Sequence, residues 1–221
     1  MHKLKSFGIM AVMLFIAFDY SHAQINETKI SIPTFNDEYT KTVVKLESGT
    51  KDVDFVKFRF SFLDSKQYDV KNEHFSEFDS LQKLMFAEVE NKNYKEVIAV
   101  AKKILSIDYT NLWAQKFLRQ SYAVIGDSAN ANKYKNIELG LLRSIYRHSS
   151  GEECGDSWEA AQVYEEYFVL DMIGAHLKKQ SINQSSGSIC DEMEVEEKGV
   201  IKKYYFDIEK MMLKKDKKLS K

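Results

Sequence analysis

Proline is almost absent from this chain, glycine is scarce, and cysteine occurs only twice. With Pro33 as the single proline, no segment can form a proline-rich arm, and nine glycines in 221 residues exclude a glycine-rich spacer or a collagen-like repeat. Two cysteines are too few for a disulfide-knotted miniprotein or a four-thiolate zinc site. Charge of one sign is also lacking. Against 32 Lys and Arg stand 33 Asp and Glu, a net charge of −1, so no strong field is available to hold nucleic acid or an anionic membrane. The basic run "KKDKKLSK" at the C-terminus reads as a solvated tail. Beyond Phe18 no apolar stretch approaches the roughly 18 residues that cross a bilayer. What remains is 44% hydrophobic, the composition of a folded, helix-rich protein.

The one long apolar run lies at the N-terminus, where Lys3 and Lys5 precede "FGIMAVMLFIAF", Phe7 to Phe18. "DYSHAQ" follows, with small Ser21 and Ala23 at the two positions a signal peptidase reads. Residues 1–23 are therefore expected to be a signal peptide, cut between Ala23 and Gln24. No cysteine follows the run, so no lipid anchor is signalled. Removing 23 residues from 221 leaves 198, enough for one large domain or two small ones sharing a core. The expected product is exported to the periplasm or the medium, with no membrane span.

An oxidising compartment makes a bridge between Cys154 and Cys190 the favoured state. It would close a loop of about 36 residues and stabilise by about 3–4 kcal/mol in the chain-entropy model. The rival reading makes one of them a nucleophile. That requires a thiolate beside a histidine, and His74, His148 and His176 lie in no local motif.

A comparison at an offset of 34 residues organises the middle of the chain. Lys92 then meets Gly126, Asn93 meets Asp127, Val97 meets Ala131 and Leu84 meets Leu118. Thirty-four is the period of the tetratricopeptide repeat, a pair of antiparallel helices. "KNYKEVIAVAKKILSIDYTN" fits a second helix and its exit, with Tyr94, Val97, Ile98, Ala101, Ile104 and Leu105 at helical spacing. "NLWAQKFLRQSYAVIGD" and "SANANKYKNIELGLLRSIY" fit the next pair, parted by Gly126 and the capping Asp127. The pattern departs from the repeat at Lys92, where glycine is expected, at Tyr109, where proline is usual, and at Arg119, normally a small residue.

Upstream, "FNDEYTKTVVKL" places Phe35, Tyr39 and Val43 at four-residue spacing, and "ESGTKD" breaks the chain. Val53 to Leu63, "VDFVKFRFSFL", fits either a strand or a helix by periodicity; flanking helices favour a helix. "FSEFDSLQKLMFAEVE" continues as one. After Arg147 the character changes. "HSSGEECGDS" reads as a loop, "EEYFVLDMIGAHL" as a helix, "KKQSIN" as a strand and "NQSSGS" as a flexible loop. In "DEMEVEEKGVIKKYYFDI" two alternating runs meet at Lys198 and Gly199, which predicts a hairpin with Val195 facing Lys202, Glu194 facing Lys203 and Met193 facing Tyr204. The expected class is α+β: antiparallel helical hairpins over residues 24–147, then a small module over 148–221 with an antiparallel sheet, one or two helices and the basic tail.

"YKEVIAVAKKILSIDYTNLWAQKFLRQSYAVIGD", "ANKYKNIELGLLRSI", "EEYFVLDMIGAHLKKQS", "CDEMEV" and "KKYYFDI" together resemble a family of exported bacterial proteins known only as a domain of unknown function. The resemblance covers most of the mature chain and implies a helical first half and an α+β second half. It implies no activity and supplies no catalytic residue. "SSGEECGDSW" departs from the Gly-Asp-Gly-type turn expected in relatives.

Candidate functional residues are few. Glu152/Glu153, Glu165/Glu166 and Glu196/Glu197 are adjacent acids, which point apart on a helix or strand and so form no dyad with one another. "EEY", Glu165 to Tyr167, reads as a helix N-terminus with acids near the positive dipole end, or as carboxylates in a pocket. No metal, phosphate-loop, nucleophile-elbow or redox motif occurs, and no cofactor or metal is expected. In tetratricopeptide repeats the first helix of each unit lines the concave surface. Those positions fall at Asp79, Gln82 and Phe86, and at Trp113, Lys116 and Gln120. Phe86, Trp113, Lys116 and Gln120 are candidates for gripping a protein or peptide, against the alternative that the second half of the chain packs over them. The function expected is a non-catalytic binding or assembly module without nucleic acid. A hydrolase with its site in the C-terminal module, and a permanent structural subunit, stay open.

Overall fold

The computed structural model describes residues 29–50, 52–185 and 187–219, with side chains up to position 214. The expected signal segment, with Ala23 and Gln24, lies outside the described residues. Seven helices lead the described chain: α1 (Glu38–Glu47), α2 (Phe55–Leu63), α3 (Lys66–Glu73), α4 (Phe75–Glu90), α5 (Tyr94–Ile107), α6 (Leu112–Val124) and α7 (Ser128–Tyr146). A short 3-10 turn (Cys154–Asp156) and β1 (Trp158–Glu159) follow. Then come α8 (Val163–Ile173), β2 (Ala175–Ser185), β3 (Ser188–Glu197), β4 (Val200–Asp207) and α9 (Glu209–Leu219). The class is α+β.

Each helix start has a local cause. Asp37, Asp54, Ser65, Asn111 and Asp127 cap α1, α2, α3, α6 and α7, each side chain accepting a backbone N–H three residues on. Asp54 thereby resolves the Val53–Leu63 ambiguity as helix. Phe58, Arg59 and Phe62 then share its buried side. Consecutive helices from α4 to α7 pack as antiparallel neighbours. The turns before α5 and α7 both use a left-handed residue, Lys92 at φ 57° and Gly126 at φ 84°, 34 positions apart. Lys92 thus takes the conformation that glycine would adopt more cheaply. Apolar side chains of α5, α6 and α7, among them Val97, Ala101, Ile104, Leu118, Tyr122, Ile137 and Leu141, form the centre of the core.

The sheet has the order β1-β4-β3-β2. β3 and β4 pair as Met193 with Tyr204, Glu194 with Lys203 and Val195 with Lys202, the register expected from alternation. Lys198 and Gly199, at φ 53° and 78°, make the two-residue turn, where two positive φ values match the twist of the strands. Met193, Val195 and Phe206 are buried on the α8 side. Three expectations change here. α8 ends at Gly174, so Ala175 to Leu177 belong to β2 rather than to the helix. Gln184 and Ser185, expected as loop, extend β2 through pairing with β3. The tail is helical to Leu219, and Lys210 and Lys214 reach Glu159 and Asp64 at 3.3 and 3.4 Å. Cys154 and Cys190 are bonded, with Cα atoms 5.7 Å apart, which pins the 3-10 turn to the solvent side of β3.

Candidate functional site

Two buried polar clusters decide how the C-terminal elements sit on the helices. In the first, Arg59 of α2 is fully buried and forks onto Glu165 of α8, with contacts of 3.0 and 2.6 Å. Its remaining N–H groups meet the Glu159 carbonyl at 2.6 Å and the Ser144 hydroxyl at 3.2 Å. Glu165 also caps its own helix by accepting from the Ala161 amide at 2.7 Å. In the second, the "DYTN" linker between α5 and α6 is buried along its whole length. Lys71 of α3 donates to Asp108 and to Gln162, both at 2.7 Å; Gln162 donates to Asp108 and Thr110; and the Tyr164 hydroxyl donates to the Thr110 carbonyl at 2.9 Å. Burial, then the nearby Asp108 charge, pushes the Tyr164 phenol far above its ordinary range, so it stays a donor. These clusters fix α8 against α2, α3 and the α5–α6 linker.

A third group lies between α8 and the sheet. Glu166 is fully buried and neither carboxyl oxygen meets a donor. Burial first, and then the neighbouring Asp191, push its carboxyl up to about 9, so at neutral pH it keeps its proton and donates it to Asp191. Asp191 accepts in addition from Gln180 at 2.7 Å, and Gln180 in turn accepts from the Tyr167 hydroxyl at 2.7 Å. Both acids of the "EEY" stretch are thus interior. They point apart as adjacent helical residues must, one to Arg59 and one to Asp191.

The expected grip on the first helices of the two hairpins is brought together in part. Phe86 of α4 and Trp113 of α6 meet edge to face at 5.2 Å, and Lys116 lies 4.8 Å over the Trp113 ring. α8 covers the Trp113 end. Phe168 packs edge to face on Trp113 at 4.9 Å, and Asp171 holds Lys116 at 2.8 Å. Phe86 remains 38% exposed. Gln120 lies half-buried one turn beyond Lys116 on the same stripe of α6, Asp79 binds Lys83 at 2.6 Å, and Gln82 is half-buried.

A large open groove lies elsewhere. Ala129, Asn132, Asn136, Gly140, Arg143 and the C-cap Arg147 recur at helical spacing along one side of α7, and Thr50, Asp52 and Val53, which lie between α1 and α2 in sequence, line the same groove. The groove has a volume of about 980 Å³, at the upper end of ligand-pocket sizes. Gly140 lets the Phe55 ring lie directly against α7 at the groove wall, since a Cβ there would overlap that ring. Lys133 is tied to Glu47 at 2.8 Å, and Arg147 lies 3.9 Å from Asp54. Arg143 makes no ion pair among the described residues. Residue spacing alone could have flagged this side as the small and polar complement of the buried stripe Tyr134, Ile137, Leu141 and Ile145. The 34-residue offset points instead to the face of α4 and α6.

Among the described residues no group of three or more His, Cys, Asp or Glu side chains gathers as a metal site would require. Comparison with known families matches residues 26–217 to the domain of unknown function DUF4919. The chain belongs to that family. No curated protein and no solved structure matches it. As a DUF4919 member it carries no transferable activity, so the geometry of its own surfaces must supply the functional reading. Among the described residues no helix is long and apolar enough to cross a membrane.

Proposed function

We propose that this chain is an exported, non-catalytic binding or assembly module, in which helices packed in the manner of tetratricopeptide repeats offer the α7 groove to a segment of another protein. The observation that carries the reading is the groove itself. It is of ligand size, and Val53, Phe55 and Ile137 alternate with the Asn132 and Asn136 amides and the Arg143 guanidinium along it. Apolar patches beside a few directional hydrogen-bonding groups are what grip a polypeptide. In this reading residues 24–147 carry the binding surface, and residues 148–221 brace it through Glu165 and Gln162. Export is supported by the leader pattern and by the disulfide. The Trp113 face is the weaker candidate because α8 already occupies one end of it. A hydrolase reading has one feature in its favour, the Glu166 and Asp191 carboxyls, and these are enclosed between α8 and the sheet.

The test places a photo-crosslinking amino acid at Asn136 or at Gln120 in the exported protein. A discrete adduct from position 136, abolished by Asn132→Trp, is the expected outcome. An adduct from position 120 alone moves the site to the Trp113 face, and none from either position refutes the binding reading.

A further inference from the structure

The sheet ends in an open edge. β2 is 11 residues long and is paired to β3 along its length except at Lys178, while no described strand pairs with its outer side. Natural sheets blunt such edges with charge, proline or a bulge. Here those devices are confined to the start of the strand, where Lys178 and Lys179 sit at a break in register between Leu177 and Lys179. From Gln180 to Ser185, "QSINQS", the edge carries no charge and no proline. In its middle Ile182 is 59% exposed. Ile182 lies on the same side of the sheet as Gln180, since both pair with the inward-facing Asp191 and Met193. Gln180 is bonded to Tyr167 of α8 at 2.7 Å. Tyr167 and Val163, one helical turn apart, are likewise exposed. An apolar strip of Val163, Tyr167 and Ile182 therefore runs beside the unpaired backbone groups.

We infer that two copies of this chain join edge to edge through β2, antiparallel, about a two-fold axis at Ile182. Self-complementarity is the reason for choosing a second copy as the occupant. With Ile182 opposite its own counterpart, Ser181 faces Asn183, Gln180 faces Gln184 and Lys179 faces Ser185. No two like charges meet, and Lys178 is already neutralised by Glu196 at 2.6 Å. The same axis brings the two α8 helices side by side, with Tyr167 and Val163 of each copy next to the paired Ile182 side chains. Backbone pairing and apolar contact are thus made together, on an interface that closes after two copies.

Light scattering on the mature, disulfide-bonded protein should give twice the chain mass. Ile182→Lys places two ammonium groups on the axis and should weaken association about tenfold or more, with an unchanged melting temperature at concentrations too low for pairing, because position 182 is exposed in the single chain. A second variant guards against misfolding. Ile182→Cys puts one thiol opposite its copy, where directly facing strand residues are close enough to bridge, and mild oxidation should yield a covalent dimer. Ser181→Cys, offset from its counterpart and on the other side of the sheet, should not. The native bridge is buried and does not compete. A monomer at all concentrations, a dimer indifferent to Ile182→Lys, or a covalent dimer formed as readily from Ser181→Cys would each overturn the inference.

Discussion

The Trp113 face and the α7 groove belong to the same set of helices, yet the face richer in aromatic rings is the one the chain covers for itself. Phe86, Trp113 and Phe117 cluster on α4 and α6, and α8 adds Phe168 to them. The α7 groove is lined instead by a mixture of small, amide-bearing, cationic and apolar side chains, with Phe55 as its one ring, and stays open. Aromatic surface is most stable when removed from water. A groove that mixes a few apolar side chains with amides and guanidinium groups has fewer rings to bury and less to gain from internal cover. What holds α8 on the aromatic face is not the rings alone. The buried Arg59–Glu165 pair and the Lys71–Asp108–Gln162 cluster anchor its first turn at two points.

Removing that anchor should give the largest effect. Glu165→Ala leaves the Arg59 charge in the interior without its carboxylate, and unfolding in urea should show a loss of about 3–5 kcal/mol. Replacing both at once, Arg59→Met with Glu165→Leu, should recover most of it. If Glu165→Ala costs under about 1 kcal/mol, as an exposed pair would, the ion pair does not hold α8 in place.

Glu166 sharpens the same comparison with the opposite sign. Its carboxyl lies at about 9 in the folded chain against an ordinary 4.5, so the folded state binds a proton that the unfolded chain releases. The stability it contributes is fully present below pH 4.5 and is lost progressively as pH rises towards 9. Glu166→Gln keeps a donor towards Asp191 without the titration. It should stabilise the protein by up to roughly 3 kcal/mol at pH 7, and the difference should vanish near pH 4. A stability difference that does not change with pH would show that Glu166 is not held protonated.

On the open side the effect should be smallest. Asn136→Ala changes an exposed groove residue and should alter unfolding by less than about 0.5 kcal/mol, while reducing partner capture. A large loss of stability would mean that the groove is collapsed or internally filled in solution.

Much of this architecture was legible where local signals agree. α7 is bounded by Gly126 and Asp127 and carries a clear stripe, and the β3–β4 register follows from alternation around Lys198 and Gly199. α3 was not legible, because "KQYDVKNE" has no apolar stripe and its buried members are Gln67 and Lys71. β2 was read too short since an edge strand need not alternate, and "KKQSINQS" does not. The burial of Glu165 depends on Arg59, 106 residues away, and no local pattern reports a partner at that distance. The α7 groove was missed for a related reason. Its lining joins Thr50, Asp52 and Val53 to Asn132, Asn136 and Arg143 of α7, far apart in sequence, whereas the Trp113 stripe is visible within a single helix.

The most direct test of the comparison is a double-mutant cycle on Trp113→Ala and Phe168→Ala, followed by urea unfolding at neutral pH. If α8 lies on the α6 face, the two rings share one contact and the cycle should return a coupling of about 0.5–1.5 kcal/mol. Strictly additive losses, or a Trp113→Ala change that costs nothing, would place α8 elsewhere and return the Trp113 face to the list of open binding surfaces.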